Sequence, residues 1–407
     1  MTESKPPTKA LIFILITAFL NLMGIGIIIP VLPFIVQSTL HTTDPNTVAL
    51  YVGWLMSIFA ICQFFASPGL GLLSDKFGRR PILLICLLGS AVGYLLLGVG
   101  GAMWIYFIGR IIDGVTGGNF STIFAYVADI TKPEERGKYY GLIGAAGGVG
   151  FMLGPVLGGF ASTFSIQAPF YIAASIYLAN FVWGYFNLPE SLHLEHRRTK
   201  IHIGDLNPFK QLVHVFSQSL LRWLLIISFL FFLGFVTFSS TNGLFMKDVL
   251  RWKPEQIGVV LFLVGVVDII AQGYLIRKLS AFVSESRLAI IGLAIVITGY
   301  LTLTAIPILH INWLIYLGAI LFALGDGLFE PSISGLISAT AARNEQGRVQ
   351  GAHQSIQSIA RIFGPIMVTF IYPFGANLVY FTSAFITFAS LLSIMFILPI
   401  IKRRIAL

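Results

Sequence analysis

Long apolar stretches alternate with short polar segments along almost the whole chain. Twelve of the stretches are close to, or longer than, the roughly 20 residues that a helix needs to cross a bilayer. They cover approximately residues 10–37, 48–70, 82–101, 103–129, 138–162, 168–188, 219–245, 256–277, 287–307, 313–340, 349–372 and 377–401. The pattern therefore predicts an all-α membrane protein with twelve transmembrane helices.

The longest polar interruption, at residues 190–218, divides the apolar stretches into two sets of six. We interpret it as a cytoplasmic linker between an N-terminal six-helix bundle at residues 1–189 and a C-terminal six-helix bundle at residues 219–407. A shift of 210 residues aligns five positions of the two sets: Gly137 with Gly347, Gly141 with Gly351, Gly154 with Gly364, Pro155 with Pro365, and Pro189 with Pro399. An even number of spans gives both copies one orientation, so we expect pseudo-symmetry about an axis along the membrane normal. Such duplication favours a transporter with alternating access, with a channel as the alternative.

The composition excludes a soluble globular protein. Of the 407 residues, 56% are hydrophobic and 11% are charged, and the mean hydropathy is +0.87. The net charge of +9 does not indicate nucleic acid, because 21 of the 26 Lys and Arg residues fall on one side of the predicted membrane and three on the other. Cytoplasmic segments collect basic residues. Both termini are therefore predicted to be cytoplasmic, in a multi-pass protein of the inner (plasma) membrane.

Neither catalysis nor a cofactor is indicated. The two cysteines, Cys62 and Cys86, lie in separate apolar stretches and offer neither a disulfide framework nor a metal cluster. The chain lacks the GxxxxGKS/T pattern that binds nucleotide phosphates. Its intramembrane charges show no arrangement of nucleophile, base and orienting group. We therefore do not predict an enzyme.

One apolar stretch is unusually rich in glycine, although each glycine inside a helix costs about 1 kcal/mol relative to alanine. Gly150, Gly154 and Gly158 recur at intervals of four and share one helix face. In a membrane, small residues at this spacing allow two helix backbones to approach closely. The second copy has Ala360 and Val368 at two of these positions, so we expect a close approach only in the first copy. A packing face without further meaning is the alternative.

Six charged residues fall deep inside the predicted spans, away from the span ends: Arg110, Asp113, Asp268, Asp326, Glu330 and Arg361. A charge at the bilayer centre costs at least about 2.5 kcal/mol, so each should face a cleft, pair or be neutral. Asp326 and Glu330 are four apart and repel each other when both are charged, so one is expected to carry a proton. Arg361 can compensate the other. With four acids and two bases, one or two exchangeable protons are expected, which is the basis of an antiport hypothesis.

Two of these groups have alternative interpretations. Arg110 and Asp113 are three apart and form either a stable ion pair or part of the coupling machinery. Asp268 is either a coupling residue or the partner of a simple polar contact with Gln272.

Neutral polar and aromatic residues on neighbouring spans are predicted to complete a substrate cleft. The polar group comprises Asn21, Gln63, Asn119, Asn242, His353, Gln354 and Gln357, and the aromatic group Phe120, Phe235, Phe238 and Phe329. An apolar wall with few polar anchors suits a flexible amphipathic molecule. His353 has the side chain that titrates near neutral pH, but a hydrogen-bonded packing role is the commoner one for a lone histidine.

Several motifs resemble those of the major facilitator superfamily. GLLSDKFGRRP at residues 71–81 is similar to its loop signature, with Gly71, Asp75, Gly78, Arg79 and Arg80 at the signature positions. The residues that fill its antiporter motif are Gly141, Gly150, Gly154, Pro155, Gly158 and Gly159. MGIGIIIPVLPF, GRIIDGVTGG and NLPES resemble the tetracycline/proton antiporter branch of twelve-helix drug exporters.

The resemblance implies that Asp75, Arg79 and Asp129 form a latch that holds the two halves together in an outward-open state. A solvated, positively charged loop is the alternative. The acids of tetracycline exporters fall on Asn21, Gly93 and apolar residues near Val296 in this chain, and their histidine falls on Asp268. Tetracycline itself is therefore not implied as the substrate.

Together these features predict a proton-coupled secondary transporter that exports small amphipathic or drug-like molecules by alternating access. A proton symporter, or an exporter of one endogenous metabolite such as a siderophore, is the alternative among transporters. A non-transporting membrane receptor is the alternative from another class. The expected partners are a small-molecule substrate, protons and the lipid bilayer, and the protein is expected to act as a monomer.

Overall fold

The computed structural model describes residues 8–132, 135–198, 207, 216–340 and 346–405. Within these ranges the chain is helical and contains no strand. The first half contains α1 (Thr8–Ile28), α2 (Leu32–Leu40), α3 (Pro45–Phe77), α4 (Arg79–Val99), α5 (Met103–Gly117), α6 (Phe120–Ile130), α7 (Arg136–Ala161) and α8 (Ala168–Asn187). The second half contains α9 (Ser219–Asp248), α10 (Pro254–Ile270), α11 (Ile276–Leu279), α12 (Glu285–Leu309), α13 (Leu314–Thr340), α14 (Gln346–Ile371) and α15 (Ala376–Ile405).

Ten helical segments in the described chain are long and apolar enough to cross a membrane. The fourth predicted span is divided into α5 and α6, each shorter than a span. The sixth corresponds to α8, whose tyrosine, tryptophan and asparagine side chains lower its hydropathy. Every predicted apolar stretch falls on one of these helices or on consecutive helices. The chain is an all-α, multi-pass membrane protein, as the pattern of apolar stretches predicts.

Local sequence explains where α3 begins. Asp44 precedes α3 and accepts hydrogen bonds from the backbone N–H groups of Thr47 (3.0 Å) and Asn46 (3.2 Å). Pro45 follows as the first helical residue, where its missing N–H costs nothing. The hydroxyl of Thr47 also donates to Asp44, and these hydrogen bonds lower the pKa of its carboxyl group. The cap is therefore intact above the ordinary pKa of aspartate and is lost as the pH falls through the lowered value.

The contacts divide the chain into two compact units. The first contains Met1–His41 and Ile58–Pro208, and the second contains Thr42–Ser57 and Phe209–Leu407. The N-terminal part of α3 thus groups with the second unit, in which Ser57 Oγ donates to the carbonyl oxygen of Ile362 at 2.9 Å. Most of the predicted linker, 199–206 and 208–215, lies outside the described residues.

In the first unit, α7 lies against α1 through the glycine face. A Cβ atom at Gly150 would overlap the carbonyl oxygen of Phe19, and one at Gly154 would lie 2.6 Å from that of Met23. A Cβ at Gly158 would overlap the carbonyl oxygen of Ile27. Real Cβ atoms do not approach backbone oxygens so closely, so α1 can occupy this position only because these residues are glycine.

The second unit also contains a close approach between the corresponding helices, which corrects the expectation from its Ala360 and Val368. A Cβ at Gly364 on α14 would lie 3.1 Å from the backbone nitrogen of Thr237 on α9. In the described part of the second unit, the contact between α14 and α9 involves Gly364, whereas in the first unit glycines on three successive turns of α7 contact α1. A single retained glycine is therefore enough to bring two backbones together locally.

A second set of glycine contacts joins α12 to α13. A Cβ at Gly292 would lie 2.7 Å from the carbonyl oxygen of Gly325, and one at Gly299 would lie 3.0 Å from that of Gly318. A Cβ at Gly325 would lie 2.7 Å from the backbone nitrogen of Val296. The glycines are seven residues apart on each helix, so Gly292 faces Gly325 and Gly299 faces Gly318. They fix the position of Asp326, the residue that follows Gly325.

Candidate functional site

The two charged residues deep inside the predicted spans of the first unit form one balanced pair. Arg110 and Asp113 lie one turn apart on α5, and their closest N–O distance is 3.3 Å. Both side chains are buried, and the guanidinium group lies 4.2 Å from the centroid of the Phe59 ring. Gly93 on α4 makes room for the acid, since a Cβ there would lie 3.0 Å from Asp113 Cβ. One cation and one anion leave no net charge, which favours the interpretation as a stable ion pair.

The second unit holds three acids in one neighbourhood. Asp326 and Glu330 lie one turn apart on α13, and the charges of Asp268 and Glu330 act on Asp326. Asp268 on α10 faces α13, because a Cβ at Gly327 would lie 3.2 Å from Asp268 Oδ1. The positive charge of Arg361 on α14 acts on Glu330. Three carboxyl groups therefore share one cation.

Asp326 is the least compensated of these acids. Its side chain is buried, with 7% of the residue exposed. Within the described residues, no hydrogen bond or ion pair reaches its carboxyl group. A buried carboxylate without a partner is costly, so this group is stable when it carries a proton or when a polar or positively charged group approaches it.

Asp268 makes the polar contact that was the alternative to a coupling role. Gln272 Nε2 donates to both carboxyl oxygens, at 3.0 Å and 2.9 Å. A π-helical turn, Ala271–Leu275, follows directly and includes Gln272. Such turns are frequent at functional sites. The contact satisfies Asp268 in part and leaves its charge within reach of Asp326.

Polar residues predicted for the cleft meet where α5 gives way to α6 in the first unit. Asn21 Nδ2 donates to Asn119 Oδ1 at 2.7 Å, and both residues are buried. Gln63 Nε2 donates to the carbonyl oxygen of Gly117 at 3.0 Å, which satisfies a carbonyl that the helix break leaves free. Phe120 begins α6 and packs against Phe124. Asn21 Oδ1 is buried without a hydrogen-bond partner in the described chain.

The polar candidates of the second unit are more dispersed. Asn242 accepts a hydrogen bond from the hydroxyl of Tyr380 at 3.0 Å. His353 Nε2 lies 2.7 Å from Ser228 Oγ, and the histidine is buried. This is the packing role that is commoner for a lone histidine. Gln357 is buried, whereas Gln354 is exposed, so these two residues do not share an environment.

The predicted aromatic wall is for the most part a packed core. Phe238 lies 4.1 Å from Phe322, and Phe329 lies 4.2 Å from Phe231, measured between ring centroids. Each helix contributes two rings seven residues apart, so the rings of α9 and α13 interlock. Phe238 and Phe329 are buried in this aromatic core, whereas Phe235 is only partly buried. The expectation that these aromatic residues line a substrate cleft is therefore wrong for Phe238 and Phe329.

The loop signature forms a network within the first unit. Gly78 adopts a positive φ of 106°, a conformation that favours glycine. Arg79 binds Asp75 through Nη1 and Asp129 through Nε, the latter at 3.2 Å. The three residues predicted for the latch are therefore brought together. Among the other signature residues, Gly71 faces Ser121, and Arg80 Nη2 donates to the carbonyl oxygen of Tyr185 at 2.6 Å.

Glu190 is a member of this network that we did not predict. Its carboxyl group accepts hydrogen bonds from the backbone N–H groups of Arg79 (2.8 Å) and Arg80 (3.3 Å), at the start of α4. A negative charge at a helix N-terminus is favourable. In the sequence, the only signal for this role was the position of Glu190 in the NLPES motif. In the described chain, no group of three or more His, Cys, Asp or Glu side chains is placed to hold a metal ion.

A family model described as Major Facilitator Superfamily matches residues 14–365. The chain is 33% identical to the class C tetracycline resistance protein of Escherichia coli over 369 residues, which cover 91% of each chain. It is 30% identical to multidrug resistance protein 2 of Bacillus subtilis (strain 168), and the match covers 90% of each chain. Among solved structures it is similar to the human organic anion transporter MFSD10 (TETRAN), with a TM-score of 0.73, 23% identity and coverage of 96% of this chain and 100% of that one. At this identity the structural likeness shows the fold alone.

Proposed function

Because this chain belongs to the major facilitator superfamily, we propose that it exports small amphipathic, drug-like molecules across the membrane in exchange for protons. The relatives support export of such molecules, since the E. coli protein is a tetracycline resistance protein and the B. subtilis protein a multidrug resistance protein. The matches extend over about nine-tenths of both chains. The proposal therefore applies to the whole chain.

The observation that carries proton coupling is the surplus of acids in the second unit. Asp268, Asp326 and Glu330 share the single cation Arg361, and Asp326 has no hydrogen-bond or ion-pair partner among the described residues. A proton at Asp326 removes its charge and the cost of burying it. A substrate that brings a polar or positively charged group close to the acids also lowers the cost of burying the charged carboxylate. Proton and substrate thereby compete, which is the thermodynamic requirement for antiport.

The partners of the four acids separate their roles. Asp113 has Arg110 beside it and serves as a structural ion. Asp268 is hydrogen-bonded to Gln272, and the positive charge of Arg361 acts on Glu330. Asp326 is therefore the principal proton carrier in this proposal, and Asp268 and Glu330 set its electrostatic environment.

The remaining parts of the proposal concern orientation and movement. Basic residues on one side of the membrane support cytoplasmic termini in a protein of the inner (plasma) membrane. The bundles 1–189 and 219–407 would alternate between inward-open and outward-open states, and the network of Asp75, Arg79 and Asp129 would stabilise the outward-open state. A monomer suffices for this cycle.

Everted membrane vesicles with an acid-loaded lumen test the proposal. A screen for compounds that stabilise the purified protein against heat supplies the substrate. Antiport requires that adding this compound outside the vesicles releases protons from the lumen. Asp326→Asn is expected to abolish the coupled proton release because it removes the proton carrier.

The matched control is Glu255→Gln, at the first turn of α10 and outside the acidic group. This variant should release protons at the normal rate. Proton entry together with the compound would instead establish symport. Coupled release that persists in Asp326→Asn would contradict the assignment of Asp326.

A further inference from the structure

Tyr300 on α12 has a buried hydroxyl group that the described chain leaves without a hydrogen-bond partner. The residue is 0% exposed, and its ring packs in the aromatic core at 5.6 Å from Phe322 and 5.4 Å from Phe238. Buried hydroxyl groups are usually bonded, so an unpaired one requires an explanation. The negative charge of Asp326 acts on this hydroxyl group.

The glycine contacts between α12 and α13 determine where the hydroxyl group points. A Cβ at Gly299, the neighbour of Tyr300, would lie 2.9 Å from the backbone nitrogen of Phe322. One turn earlier on α12, Val296 lies against Gly325, the neighbour of Asp326. Side chains of a helix lean toward its N-terminus. Tyr300 therefore leans from the level of Phe322 toward the level of Asp326.

The first unit contains a comparable glycine–tyrosine pair in a different electrostatic setting. Gly93 and Tyr94 on α4 repeat the Gly299 and Tyr300 pair, and a Cβ at Gly93 would lie 2.9 Å from the carbonyl oxygen of Gly109. The negative charge of Asp113 acts on Tyr94, as that of Asp326 acts on Tyr300. Asp113, however, already has the guanidinium group of Arg110 as its partner. Among the described residues Asp326 has no such cation beside it, and the unpaired hydroxyl group of Tyr300 is a polar group that can serve in its place.

We propose that Tyr300 is a positioning residue for proton exchange, whose hydroxyl group donates a hydrogen bond to Asp326 when that carboxyl group gives up its proton. This inference rests on the proposed antiport. The proton leaves the Asp326 carboxyl group for water, and Tyr300 keeps its own proton throughout. The other ionisable groups that act on the pair are Asp268 on α10, Glu330 on α13 and Tyr380 on α15, and Arg361 on α14 acts on Glu330.

A pH titration of the protein in proteoliposomes, followed by infrared spectroscopy, tests this inference without a substrate. The carboxylic acid band that is missing in Asp326→Asn reports the protonation of Asp326. Tyr300→Phe removes the donor that stabilises the charged carboxylate, so Asp326 should lose its proton only at higher pH. A hydrogen bond to a charged group predicts an upward shift of the midpoint by about one pH unit. Tyr94→Phe is the matched control and should leave the Asp326 band unchanged.

Three results would overturn the inference: an unchanged midpoint in Tyr300→Phe, an equal shift in Tyr94→Phe, or the lack of any Asp326 band that titrates. Removal of an unpaired hydroxyl group should not impair folding. If Tyr300→Phe nevertheless fails to fold, the unsubstituted protein provides a second measurement. The C–O band of isotope-labelled tyrosine should change at the midpoint of the Asp326 band, and this change should be lost in Asp326→Asn; a tyrosine band that does not change also overturns the inference.

The two proposals fail in different ways. If the Asp326 band titrates and responds to Tyr300→Phe while vesicles show no proton release, the antiport fails and the hydrogen bond stands. If vesicles show coupled proton release but the midpoint of the Asp326 band is the same in Tyr300→Phe as in the unsubstituted protein, only the role of Tyr300 fails.

Discussion

Asp113 and Asp326 are buried carboxyl groups on helices at equivalent places in the two copies, yet in the described part of the chain a cation lies beside only one of them. Arg110 lies 3.3 Å from Asp113, whereas the charges that act on Asp326 are those of two other acids, Asp268 and Glu330. The same residue type therefore has opposite energetic roles. An ionised Asp113 compensates a buried guanidinium group, and an ionised Asp326 adds to an existing excess of negative charge.

This difference predicts opposite effects on stability. Asp113→Asn removes the carboxylate that compensates the buried charge of Arg110 and should reduce the free energy of unfolding by about 3 kcal/mol. Asp326→Asn replaces an unpaired acid by a neutral group of the same shape and should be neutral or stabilising. Thermal unfolding of the two purified variants at neutral pH measures both effects. Equal losses of stability would contradict the distinction between a structural ion and a proton carrier.

At the scale of the helix, one glycine face can be tested against its own neighbours on α7. Gly150→Ala places a methyl group on the carbonyl oxygen of Phe19, so α1 must move away, and we expect lower thermal stability and loss of transport. Gly148→Ala is the matched control, because a Cβ there meets no atom within 4 Å. It should retain transport and gain about 0.5 kcal/mol in stability from the helix propensity of alanine. Similar behaviour of the two variants would show that α7 does not depend on contact with α1.

The helices and their internal pairs could be predicted because both depend on sequence spacing. Twenty apolar residues define a span, and spacings of three or four place Arg110 beside Asp113 and Gly150 beside Gly154. Contacts between helices follow a different rule. The bonds of His353 with Ser228 and of Asn242 with Tyr380 depend on which helices are neighbours and how each is rotated. A single sequence does not contain that information, so these residues were assigned to a cleft.

The glycine contacts between α12 and α13 illustrate the same limit. On α7 three glycines at intervals of four lie in one segment and are visible in the sequence. Gly292 and Gly299 lie on one helix and Gly318 and Gly325 on another, and each pair alone is unremarkable at a spacing of seven. Their meaning emerges only when the two helices are placed side by side, where they set the position of Asp326 and Tyr300.

At the scale of the whole molecule, the excess of acids inside the predicted spans belongs to one unit. The sequence total of four acids against two bases does not show how the charges are shared. The structure assigns one acid and one base to the first unit, and three acids and one base to the second. Internal duplication has therefore preserved the fold in both copies, while the charge imbalance that proton exchange requires is concentrated in the second.

This charge distribution predicts shifts of opposite sign within the second unit. Arg361→Gln removes the positive charge that acts on Glu330, so the acidic group should retain protons to higher pH, and the midpoint of the carboxyl titration should rise. Asp268→Asn removes a negative charge that acts on Asp326 and Glu330, so the remaining acids should ionise more easily and the midpoint should fall. Glu255→Gln, outside the group, should leave it unchanged. The infrared titration measures all three variants. Removing a positive and a negative charge must shift the midpoint in opposite directions if electrostatic interactions control proton binding. Shifts in the same direction for Arg361→Gln and Asp268→Asn would therefore contradict that control.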